Sequence, residues 1–184
     1  MFNYDFPTTF HALYDQAVSL YANGQRGAAT FFTPADTTWL AANGLTPQHL
    51  YDYAEDKVAG GEPGYDRALA IELVRRDFFL HVQGGQASAT LLNEASLPSK
   101  DVAVRGITWL PRLLPKARAK LRGELPPSLM YCCGGDRRFF KAHDILPSEF
   151  LSQVWRHLPN DDPVIDWVVS QSKRARPSLS GMAL

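Results

Sequence analysis

The stretch Tyr131-Cys132-Cys133-Gly134-Gly135-Asp136-Arg137-Arg138 places both cysteines of the chain, an aspartate and two arginines just ahead of an apolar helical pattern. A helix starting there would present free N–H groups and a positive dipole end beside a thiol and two guanidinium groups. Cations next to a sulfur favour its thiolate, which is what a nucleophilic or redox cysteine needs. Cys133 and Asp136 are therefore the candidate catalytic pair. The plainer alternative is that both only form the entry turn of a helix, Asp136 serving the exposed N–H groups. Cys132 reads as a small buried hydrophobe.

A second group lies upstream, in Leu110 to Gly123. At 100° per residue, Leu110, Leu113, Leu114, Ala117 and Leu121 form one apolar stripe. Arg112, Lys116 and Lys120 line one flank, and Arg118 and Arg122 the other. Pro115 is expected within the first turn, where its missing N–H matters least. A solvated amphipathic helix is the plain reading. The functional one is an anion clamp, since Arg112 and Lys116 lie one turn apart and suit a phosphate or carboxylate. With Arg137 contributing a third cation and Tyr131 a hydroxyl, these are the candidate ligand-binding residues.

A third group, His49, Asp52 and Asp56, has helical spacing, but no partner carboxylates are evident and the face opposite Leu50, Ala54 and Val58 reads as solvent. No metal site is expected, and no cofactor is indicated. Arg75 and Arg76 read as complements to the C-terminal dipole of their helix. No phosphate-binding loop, GxGxxG, GxSxG or HExxH occurs.

The elements that must position these groups are helical. Residues 8–23 carry Phe10, Leu13, Tyr14, Ala17 and Tyr21 at helical spacing. Thr33-Pro34-Ala35-Asp36 is a helix start that should run to Asn43-Gly44. Further helices are expected over 47–58 and from about Gly64 to Phe79. Gly84-Gly85 either closes a hairpin near residues 80–92 or ends a helix. Apolar character recurs 100 positions apart: Asp36, Trp39, Leu40, Ala42, Leu45, Pro47 and Leu50 against Asp136, Phe139, Phe140, Ala142, Ile145, Pro147 and Phe150. The expected fold is mainly α, a compact multi-helix domain from two similar three-helix units with at most one short hairpin. The units are 1–96 and 97–172, sharing one core, and 173–184 is expected to be a flexible tail.

Composition bounds the function. The chain has 184 residues, 45% hydrophobic and 21% charged, as ordinary globular proteins do. Net charge is zero, but residues 1–100 carry 6 bases and 11 acids, and residues 101–184 carry 13 and 8. Such polarity permits a local anion site, while overall neutrality argues against nucleic acid. No apolar run is long enough for a membrane and no leader pattern opens the chain, so a cytoplasmic protein with reduced thiols is expected.

Leu97-Pro98, Trp109-Leu110-Pro111-Arg112, Lys116-Ala117-Arg118-Ala119, Gly123, Tyr131, Cys133-x-x-Asp136, Phe140, Phe150 and Asp166-Trp167-Val168 together resemble the DUF5069 family of small bacterial proteins, over roughly residues 97–170. The chain departs from that pattern at Pro115, where an acid usually precedes the lysine, and at Gly134-Gly135. The resemblance implies a domain and no particular activity. The functional expectation is a binding protein for an anionic small molecule, with a non-catalytic protein–protein interaction module as the alternative.

Overall fold

The computed structural model describes residues 3–174. Eight α-helices dominate: α1 Asp5–Ala22, α2 Pro34–Ala42, α3 Pro47–Gly60, α4 Tyr65–His81, α5 Leu110–Arg122, α6 Gly134–Ala142, α7 Pro147–His157 and α8 Asp162–Arg174. The mainly helical fold is as expected from the sequence. So are the local reasons for it. Thr33 and Asp36 form the capping box at α2, with Thr33 N–H donating to Asp36 Oδ2 at 3.0 Å and Asp36 N–H to Thr33 Oγ1 at 3.2 Å. Pro47 and Pro147 open α3 and α7, where a missing N–H breaks no intrahelical bond. Helices α2 and α6 are each nine residues long and start 100 positions apart.

Three local details differ from expectation. The hairpin is not near 80–92 but pairs β1 Ala103–Val104 with β2 Ile107–Thr108. Its two-residue turn, Arg105-Gly106, has φ +49° and +79°, the type I′ geometry that matches strand twist. Gly84 and Gly85 end α4 instead, with Gly85 N–H returning to Phe79 C=O at 2.9 Å. Helix α5 starts at Leu110, so Pro115 sits in its second turn, opposite the Pro111 carbonyl it cannot reach with a hydrogen bond. Lys173 and Arg174 continue α8; the rest of the expected tail lies outside the described residues.

The buried apolar side chains form two clusters. One joins Phe6, Phe10, Leu13, Tyr14, Leu40, Leu50 and Tyr53 from α1–α3. The other joins Leu110, Leu113, Leu121, Phe139, Phe140, Phe150, Leu151 and Val168 from α5–α8. Helix α4 runs between them, giving Ala68, Leu69 and Leu73 to the first and Ile71, Val74 and Phe78 to the second. A helix packed on both sides buries polar residues on those faces, and Glu72, Arg75 and Arg76 are accordingly inside while Asp66 and Asp77 stay exposed. Among the described residues no helix is long and apolar enough to cross a membrane.

Candidate functional site

The residues around Cys133 assemble into a buried network rather than an open clamp. Asp136, at the start of α6, is fully buried and accepts three hydrogen bonds. They come from Lys116 Nζ at 2.6 Å and Cys132 N–H at 2.9 Å, both to Oδ2, and from Trp109 Nε1 at 2.9 Å to Oδ1. The backbone is shaped to allow it: Trp109 and Cys132 both take positive φ, +74° and +69°. Gly135 is required as well, because a Cβ there would lie 2.4 Å from the Trp109 ring. Asp136 thus ties Lys116, Trp109 and the Cys132 backbone together at the start of α6.

The three cations of the expected clamp engage separate partners. Lys116, read as a solvent flank, is 1% exposed and committed to Asp136, its Nζ also 3.5 Å from Cys133 Sγ. Arg112 donates to the Pro98 carbonyl at 3.0 Å, with Glu94 4.0 Å away. Arg137 pairs with Asp56 at 2.6 Å and donates to the Cys132 carbonyl at 2.8 Å. Tyr131 gives its hydroxyl to the Pro147 carbonyl at 2.7 Å. Each of these donors thus has an acceptor of its own within the protein. Cys133 caps α6 and opens on a shallow depression beside Asp52, Glu55 and Asp56. Burial, with Asp136 adding to it, pushes the Cys132 thiol up to about 12.

A different set of charged groups converges on one recess. A cavity of about 420 Å³ lies between α3 and α4 on one side and α5 with the segment Gly123–Tyr131 on the other. That volume falls within the range of small-molecule sites. Its walls include His49, Asp52 and Tyr53 from α3, Arg75 from α4 and Lys120 from α5. Behind them Glu72, fully buried, accepts from Lys120 Nζ at 2.5 Å and from Tyr53 OH at 2.7 Å through Oε1. Glu72 Oε2 has no hydrogen-bond partner among the described residues, nor does His49 Nδ1, 4.0 Å from Glu72 Oε1.

Arg75 is the least compensated group. Its side chain is 2% exposed, and among the described residues neither Nε nor Nη1 has a hydrogen-bond partner. Its guanidinium lies over the Phe79 ring at 5.3 Å and against Gly123, where a Cβ would come within 2.6 Å of Nη2. Gly123 has φ +71° at the end of α5, so glycine there both terminates the helix and leaves room for the arginine. Arg76, one residue on, gives the contrast. It donates to Asn43 Oδ1 at 2.6 Å and Asn3 Oδ1 at 3.0 Å, a satisfied structural arginine.

The protonation states follow from the burial. Desolvation pulls His49 down to about 3, assisted by Lys120, so its imidazole is neutral at physiological pH. Burial lifts Asp52 to about 6 despite its hydrogen bond from Gln48. Burial also works to raise Glu72, but the charge of Lys120 and the hydrogen bonds from Lys120 and Tyr53 outweigh it and hold the carboxylate below its ordinary range. Burial lowers Lys120 and brings Arg75 to about 10, still a cation. The cavity thus gathers a neutral imidazole, a carboxyl close to its titration point, an ion pair and a guanidinium with donors to spare.

The sequence reading placed His49 and Asp52 on a solvent face, Lys120 on a solvated flank and Arg75 at a helix end. Packing of α3 and α4 against α5 and the segment after it brings all four to the cavity. One available signal was the apolar pattern of α4, where Ala68, Ile71, Leu73, Val74 and Phe78 leave no polar stripe for solvent.

Residues 94–179 match the family model DUF5069, a domain of unknown function. No curated protein and no solved structure matches the chain. The DUF5069 segment holds the hairpin, α5–α8, the Lys116–Asp136 pair, Lys120 and the wall from Gly123 to Tyr131. His49, Asp52, Glu72 and Arg75 precede it, so the cavity is built by the DUF5069 segment together with α3 and α4.

Proposed function

We propose that this protein binds an anionic small molecule in the cavity between α3–α4 and α5, through Arg75. One observation carries the reading: the guanidinium of Arg75, a residue lining the cavity, is buried, and its Nε and Nη1 have no acceptors among the described residues. A buried donor left unpaired costs about 1–3 kcal/mol, so a fold retains one where a ligand completes it. Neighbouring titratable groups shifted by burial add weight, because such clusters collect at functional sites. The anion-binding role expected of Arg112, Lys116 and Arg137 is thereby moved to Arg75, with Lys120 and His49 beside it. We read α2–α4 and α6–α8 as two related units, with α5 and the segment after it closing the cavity against the first, and the protein as cytoplasmic, in keeping with its two free cysteines.

The test is a thermal-shift screen of carboxylated and phosphorylated metabolites against the wild type and Arg75→Met. A ligand bound only by the native state raises the melting temperature by mass action. The reading expects at least one anion to stabilise the wild type and not the variant. Equal shifts in both proteins, or none in the wild type across the panel, would overturn it.

A further inference from the structure

Resting on that reading, we infer that the ligand is a monoanionic carboxylate with an apolar body, rather than a polar phosphate ester. The charge around the cavity admits about one negative group. Of the charged residues lining it, Lys120 is matched by Glu72 at 2.5 Å and Asp52 is bonded to Gln48 at 2.6 Å. Arg75 alone of these has nitrogens with no acceptor among the described residues. His49 is neutral and adds no charge. A phosphate monoester carries up to two negative charges at neutral pH. Set beside Asp52 and Glu72, with one uncommitted cation to answer them, the second charge would be desolvated without a partner.

The rest of the wall sets the body of the ligand. Ala41, Leu45, Leu91, Leu125, Leu129 and Met130 also line the cavity, with Pro126 and Pro127 between the last leucines in sequence. Such a surface offers a sugar or a polyol few hydrogen-bond partners, while it gains free energy from each methylene it covers. Leu91 belongs to the irregular segment after α4 and is 63% exposed, an exposed leucine at the edge of an apolar recess. An apolar chain entering there has the means to cover it. The segment is tied over the cavity by Leu92 N–H to the Glu124 carbonyl at 2.7 Å and by Ser88 and Thr90 hydroxyls to the Glu124 carboxylate at 2.8 and 3.0 Å. A cation at Arg75 and an apolar lining that includes Leu91 together describe an amphipathic acid.

Calorimetric titration of the full chain with hexanoate, octanoate and decanoate, each below its micelle concentration, tests the class. Affinity should rise about threefold to fourfold per added methylene until the cavity is filled. Octylamine should bind at least tenfold more weakly than octanoate. Leu91→Ser, at an exposed position that the fold does not need, should weaken decanoate more than hexanoate. If glucose 6-phosphate binds in an Arg75-dependent way and the carboxylates show no length dependence, the class is wrong while the anion site stands. If octanol binds as tightly as octanoate, and Arg75→Met changes neither, the anion site itself falls. If no carboxylate or phosphate produces heat, both inferences fail.

Discussion

Arg75→Met should raise the stability of the ligand-free protein. Arg75 is 2% exposed, and Nε and Nη1 lack hydrogen-bond partners among the described residues. Leaving a buried donor unsatisfied costs about 1–3 kcal/mol, and a charged one more. Methionine keeps the aliphatic stem and its packing while removing those donors. Two losses oppose the gain. The guanidinium lies over Phe79, a contact of about 0.5–1 kcal/mol. It also attracts Glu72 and Glu124, although Lys120 at 2.5 Å remains to balance the first of these. The net expectation is a stabilisation of about 1–2 kcal/mol. For a chain of this size that is roughly 2–8 °C in melting temperature, read by differential scanning calorimetry at neutral pH. A gain in stability together with loss of anion binding is the signature of a residue kept for function. A fall of several degrees would refute the reasoning, since it would make Arg75 a satisfied structural cation like Arg76.

The other predictions concern the buried pairs and the titrations. Glu72→Gln should cost about 3–5 kcal/mol in urea unfolding, because it leaves Lys120 buried without its partner, and Lys120→Met on top should recover most of the loss; a cost below about 1 kcal/mol would contradict the pair's geometry. His49 falls from 6.5 to about 3 on folding, so the unfolded chain takes the proton first and stability is lost as pH drops from 6.5 toward 3. The slope attributable to it approaches 1.4 kcal/mol per pH unit, and His49→Gln should flatten stability measured between pH 6 and pH 4 by about that much. Asp52 works in the opposite sense. Its carboxyl is raised to about 6, so ionising it opposes folding above that pH, and Asp52→Asn should stabilise the protein at pH 8 and have little effect below pH 4, checked by thermal melts. Iodoacetamide should label the native protein once, at the partly exposed Cys133, and reach the sealed Cys132 only after unfolding; peptide mass spectrometry showing native Cys132 labelling would contradict the packing.

Helix starts and stops were written locally and could be read locally. The Thr33–Asp36 capping box, Pro47, Pro147 and the Gly123 terminus each act through neighbouring backbone groups, so their residue types suffice. The hairpin was missed because two glycines at 84–85 look like the stronger turn, whereas Arg105 adopts positive φ without any residue type that advertises it. The site was less legible for a different reason. Helical spacing tells which side chains share a face, but not what covers that face. On α5 the stripe Leu110, Leu113, Leu114, Ala117 and Leu121 is buried as expected. Lys116 and Lys120, on its flank, are buried too because Asp136 on α6 and Glu72 on α4 come to meet them. Those carboxylates are 20 and 48 residues away in sequence; the packing of α6 on α5 brings the first, and that of α4 between the two clusters the second.

The guanidinium of Arg75 can be observed directly. In a ¹⁵N-edited NMR spectrum tuned to arginine side chains, its Nε–H signal is the cross-peak missing from Arg75→Lys. Titration with decanoate should shift that peak markedly and in proportion to site occupancy, with smaller changes at the other arginines. A peak that stays in place while decanoate binds elsewhere, or moves no more than those of Arg112 and Arg137, would contradict the account.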